Sequence, residues 1–91
     1  MQEITLSVRN EVGLHARPAA LFVKTANKFK SNIDVENLSC GSPIVDAKSI
    51  LSLLTAGIEC NHKIRVRAEG KDEKEAINAL KELVDSNFGE D

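Results

Sequence analysis

Gly13-Leu14-His15-Ala16-Arg17-Pro18-Ala19 is the stretch on which the reading of this chain turns. It separates two periodicities. Before it, Ile4, Leu6 and Val8 alternate with Thr5, Ser7 and Arg9, the pattern of a half-buried strand. After it, Ala19, Phe22, Val23, Ala26 and Phe29 recur at spacings of three and four, which predicts a helix from about Ala16 to Phe29. Pro18 suits a first helical turn, where its missing N–H costs nothing. Gly13 gives the backbone freedom just before the helix. A helix start exposes unpaired N–H groups and the positive end of the macrodipole, and both favour an anion. A neutral imidazole is a good nucleophile near pH 7, and a helix N-terminus disfavours its protonated form. The guanidinium of Arg17 is a planar fork of donors suited to phosphate oxygens. His15 and Arg17, at a helix start, are therefore suited to hold a phosphoryl group on an imidazole.

Further along, Ile33 and Val35 alternate with Asn32, Asp34 and Glu36 in a second strand. Ser39-Cys40-Gly41-Ser42-Pro43 reads as a turn, and Ile44-Val45 as a short third strand. Asp46 is the expected cap of a helix from Ala47 to Ala56, closed by Gly57. Lys63 to Glu69 alternates again, with Ile64, Val66 and Ala68 on one face. Asp72, with Glu75 three residues on, reads as a capping box. It opens a last helix whose stripe is Ala76, Ile77, Leu80, Leu83, Val84 and Phe88. The order β-α-β-β-α-β-α, with one apolar face per element, predicts one sheet with its helices on one side. The short second connection between strands makes that pair antiparallel. The chain of 91 residues is expected to form a single domain, 1–91, without repeat or linker.

This pattern resembles HPr, the histidine-containing phosphocarrier family of the bacterial phosphoenolpyruvate–sugar phosphotransferase system. The likeness rests on the seven residues quoted above, on Lys48-Ser49-Ile50 opening the middle helix, and on the element order of nearly the whole chain. It implies an α+β open-faced β-sandwich, a four-stranded antiparallel sheet with three helices on one face. It implies that His15 accepts a phosphoryl group on Nδ1 from phosphorylated enzyme I and passes it to enzyme IIA domains of sugar permeases. Arg17 would neutralise the phosphoryl oxygens, and the backbone amides of Ala16 and Arg17 would supply the helix-start donors. Ser49 matches the regulatory serine of members served by an HPr kinase/phosphorylase, and through it a catabolite control transcription factor becomes a partner. The bland reading of Ser49 is an ordinary serine in a first helical turn, satisfying local donors. Ser52 stands where many members with that serine have glycine, and Glu11-Val12 where many have a short polar residue.

Ile50, Leu51, Leu53 and Leu54 are more apolar side chains than one face of a short helix can bury. Leu53 is expected in the core, leaving Ile50, Leu51 and Leu54 as an exposed patch for partner docking. Ala20, Lys24 and Lys28 would rim it, the lysines steering encounter with acidic partner rims that the resemblance implies.

Composition limits the alternatives. A net charge of −2 and the absence of Trp and Tyr argue against a nucleic-acid binder. No apolar run approaches the roughly 20 residues of a bilayer span, so direct membrane insertion is not expected. Nor is a secretory leader, since Met1 runs straight into a strand pattern. These features point to a cytoplasmic chain with reduced Cys40 and Cys60, and a relay partner gains from remaining monomeric and accessible. Cys60-Asn61-His62 with distant Cys40 does not make four-ligand zinc spacing, so no metal and no cofactor is expected. A regulatory paralogue acting through protein binding is the alternative to sugar uptake. With no second domain and no acid–base pair around His15, a carrier is expected rather than a turnover enzyme.

Overall fold

The computed structural model describes residues 1–11, 13, 14 and 16–89. The elements are β1 (Gln2–Ser7), α1 (Ala16–Ala26), β2 (Asn32–Asn37), β3 (Val45–Asp46), α2 (Ile50–Thr55), β4 (Lys63–Glu69) and α3 (Glu73–Asp85), followed by a 3-10 turn at Asn87–Gly89. The sheet runs β1-β4-β2-β3, and every pair is antiparallel. Alternation decides which side of the sheet is covered. Leu6, Ile33, Val35, Ile64, Val66 and Ala68 all face one buried layer. Against it lie Ala19, Phe22 and Ala26 of α1, Leu53 of α2, and Ala76, Ile77, Leu80 and Val84 of α3. The opposite face of the sheet carries cross-strand ion pairs, Arg65 with Glu36 at 3.3 Å and Arg67 with Asp34 at 3.0 Å. The fold is thus the expected α+β open-faced sandwich.

The ends of the elements depart from the sequence reading, each because a polar group finds a different partner. The first helix stops at Ala26 rather than Phe29, since Lys28 and Phe29 donate to carbonyls only three residues back, Thr25 and Ala26. The third strand is Val45–Asp46, not Ile44-Val45, and Ile44 is exposed. Asp46 does not open the middle helix. It pairs with Asp34 in the sheet, and its carboxylate accepts from the Lys48 N–H at 2.9 Å. Ala47 stays tied to β2 through the Ile33 carbonyl, so α2 begins only at Ile50, with Ser49 as its N-cap. The capping box of Asp72 and Glu75 does not form. The Asp72 carboxylate reaches across to the N–H groups of Lys30 and Ser31 at 2.8 and 2.9 Å and to the Ser31 hydroxyl at 2.5 Å. The carboxylate of Glu73 instead accepts from the Gly70 N–H at 3.2 Å. Phe88 lies beyond α3 with a positive φ, yet remains buried.

Candidate functional site

The junction between β1 and α1 is held from three sides. Asn10 is buried, and its carbonyl accepts from the Gly13 N–H at 3.1 Å while its Nδ2 donates to the Gly13 carbonyl at 2.6 Å. This closes a four-residue turn of the kind that favours Asn first and Gly last. Gly13 has φ +65°, and a Cβ there would collide with the carbonyl oxygen of Ile58 and the backbone of Glu59. Both the conformation and the close approach demand glycine. Leu14 follows with its side chain in the core and its N–H donated to the Ile58 carbonyl at 2.9 Å. His15, the expected phosphoryl acceptor, lies outside the described residues.

Immediately after it, α1 begins at Ala16. Ala16 and Arg17 are its first two residues, so their N–H groups have no partners inside the helix, and buried Pro18 offers none. Arg17 is exposed and makes no ion pair among the described residues. Ala20 and Lys24 continue along the exposed side of α1 at helical spacing, and exposed Lys28 lies in the turn that follows. From Val12 to Ile33 the sequence holds Arg17, Lys24, Lys28 and Lys30 and not one carboxylate. This stretch is basic although the chain as a whole is acidic.

Helix α2 lies against α1. Its start is tied to the far end of α1, where Asn27 Nδ2 donates to the Lys48 carbonyl at 3.2 Å and Lys48 Nζ to the Phe29 carbonyl at 2.6 Å. Its end leads to Ile58, under the Gly13-Leu14 turn. Leu53 is fully buried, whereas Ile50, Leu51 and Leu54 are 40, 76 and 38 % exposed. The expected division of the four apolar residues is the one observed. Ser49 caps this helix: its Oγ accepts from the Ser52 N–H at 3.3 Å, and it is half-buried.

Two residues that sequence reasoning passed over support the junction. Asn10 was legible from its spacing to Gly13. His62 was not, because its partners are far away in the chain. Its Nδ1 lies 3.1 Å from the Glu59 N–H and 3.1 Å from Nδ2 of buried Asn37. The Glu59 amide can only donate, so Nδ1 accepts and the ring proton belongs on Nε2. Cys40 and Cys60 carry free thiols whose sulfurs lie near the carbonyls of Ala56 and Arg9, respectively. Among the described residues no three His, Cys, Asp or Glu side chains are grouped to hold a metal. Among the described residues no helix is long and apolar enough to cross a membrane.

Residues 2–86 match the family model described as the PTS HPr component phosphorylation site. The chain is 43 % identical over 91 residues to the phosphocarrier protein HPr of Xylella fastidiosa, covering all of this chain and 99 % of that one. It is 42 % identical over 86 residues to the multiphosphoryl transfer protein of Haemophilus influenzae, covering 94 % of this chain but only 17 % of that much longer protein. Among solved structures, an HPr from Thermoanaerobacter tengcongensis superposes with a TM-score of 0.94 at 48 % identity, covering 100 % of this chain and 99 % of the other.

Proposed function

The chain belongs to the HPr family of the phosphotransferase system, and from that premise we propose that residues 1–91 act as one phosphocarrier domain with His15 as the acceptor. Phosphorylated enzyme I is the donor: a P–N bond forms at His15 Nδ1 as the bond to enzyme I breaks, and a IIA domain of a sugar permease takes the group in the reverse sense. The observation that carries this reading is the start of α1 directly after His15, with the Ala16 and Arg17 amides unpaired within the helix and the Arg17 side chain exposed. Backbone donors and a guanidinium there stabilise the dianionic phosphoryl group without a metal. The exposed Ile50, Leu51 and Leu54 beside a carboxylate-free α1 suit an apolar docking contact rimmed by positive charge, hence acidic partners. The partners supply most of the catalysis, and the chain works as a cytoplasmic monomer.

Incubation with phosphoenolpyruvate and enzyme I is expected to load one acid-labile, base-stable phosphoryl group, absent in His15→Ala. Loading of His15→Ala to the same level would overturn the assignment.

The same reading extends to Ser49 as the substrate of an HPr kinase/phosphorylase, with a catabolite control transcription factor as the partner of the modified form. A phosphate on the N-cap keeps an acceptor oxygen for the Ser52 N–H and adds negative charge next to Ile50 and Leu51. That charge repels an acidic docking partner. Treatment with a kinase active on other HPr proteins and ATP is expected to give an acid-stable phosphate lost in Ser49→Ala; no incorporation would remove this assignment.

A further inference from the structure

We infer that His62 is a positioning residue for the phosphoryl-acceptor loop, acting through Glu59 and Ile58 on the backbone of Gly13 and Leu14. This rests on the reading of His15 as the acceptor. The chain of contacts is continuous. Asn37, fully buried at the end of β2, has its amide orientation set by the Ser39 N–H, which donates to Oδ1 at 3.0 Å. Its Nδ2 is thereby turned toward the Ala56 carbonyl at 3.1 Å and His62 Nδ1 at 3.1 Å. The one Nδ1 lone pair is shared with the Glu59 N–H, also at 3.1 Å, and the His62 backbone N–H donates back to the Glu59 carbonyl at 3.1 Å. His62 thus closes a turn over residues 59–62 twice, through its ring and through its backbone, with Asn61 in the left-handed region at φ +71°. The turn is also anchored to the strand before the site, the Val8 N–H donating to the His62 carbonyl and the Asn61 N–H to the Val8 carbonyl.

What this turn positions is the surface on which the acceptor loop rests. The Leu14 N–H is held by the Ile58 carbonyl, and Gly13 sits against Ile58 and Glu59 with no room for a side chain. Leu14 immediately precedes His15, so a tilt of the 58–59 peptide is passed directly to the acceptor. Transfer in line between two nitrogens tolerates little misplacement. An acceptor atom at position 62 is what the geometry uses. An asparagine, whose Oδ1 can take the place of Nδ1, should therefore substitute, and a phenylalanine should not.

The experiment compares His62→Phe and His62→Asn with the wild-type chain by phosphoryl transfer from enzyme I, by the hydrolysis half-life of the phosphohistidine, and by exchange of the Leu14 backbone amide. In His62→Phe, Leu14 exchange should rise and transfer should slow, each by about tenfold, while the central-strand amide of Val66 stays protected. His62→Asn should lie within about twofold of wild type in all three, the acceptor being retained. Should His62→Phe not fold, His62→Ala against His62→Asn makes the same comparison. Wild-type Leu14 exchange and transfer in the variant lacking the acceptor would overturn the inference, as would a His62→Asn no better than it. If the wild-type chain takes no phosphoryl group, the reading of His15 fails, while the Leu14 exchange arm still decides the role of His62.

Discussion

Gly13, in the loop, and Arg17, in the first turn of α1, show how differently two neighbouring residues contribute. Arg17 is exposed and unpaired by any carboxylate among the described residues, so Arg17→Ala should keep the wild-type melting temperature. Its transfer rate from enzyme I should fall about a hundredfold, the usual cost of removing one donor from a developing anion; a wild-type rate in rapid-quench measurements would reject its role. Gly13→Ala should do the opposite first. A left-handed φ and a collision with the Ile58 carbonyl cost about 2 kcal/mol, or roughly 10 °C in melting temperature for a domain of this size. The residues of the proposed site lie in one uninterrupted stretch, where residue type and spacing are read directly. Asn10 lies just before it and carries a local turn signature. His62 acts on that stretch from some fifty residues downstream, through a fold that spacing alone does not reveal.

At the scale of elements, α2 divides its apolar residues between core and solvent, and the two halves should respond separately. Leu53→Ala should cost about 2–5 kcal/mol by leaving a cavity in the core. Leu51→Ala, at a site 76 % exposed, should stay within about 0.5 kcal/mol of wild type yet raise the KM for enzyme I or a IIA domain. Thermal melts paired with transfer kinetics separate them. The start of α3 gives a pH signature. The Ser31 hydroxyl, followed by the Lys30 and Ser31 amides, holds the Asp72 carboxyl down at about 2, from an ordinary 3.8. Folding therefore favours the carboxylate. The stability this contributes is complete above about pH 4 and is lost as pH falls through 2. Asp72→Asn should be less stable at neutral pH and lose that part of the acid slope, as chemical melts between pH 5 and 2 would register. Elements were legible from their periodicity, but their ends were not. Asp46, Asp72 and Ser49 are all plausible caps by residue type, and only the positions of β2 and of the Lys30-Ser31 turn decide which one serves a helix.

At the scale of the molecule, charge is distributed rather than summed. The net −2 hides a stretch from Val12 to Ile33 with four cations and no carboxylate. Transfer from enzyme I at low concentration should slow several-fold as ionic strength rises from about 0.01 to 0.15 M, where screening shortens from about 30 to 8 Å. A Lys24→Gln, Lys28→Gln double variant should flatten that dependence; an unchanged salt slope in stopped-flow would exclude steering by this stretch. The sheet order was not legible, since alternation alone does not say which strands are inner. One of the two inner strands, β4, is the last strand to be synthesised, and β1, the first, pairs with it, Leu6 beside Ile64. A ribosome therefore releases His15, the proposed acceptor, long before the scaffold under the Gly13-Leu14 turn exists. Nascent chains arrested short of residue 63 should be protease-sensitive and inert to the donor, and competence should appear abruptly once α3, which covers the sheet, has followed the 63–69 segment out of the exit tunnel.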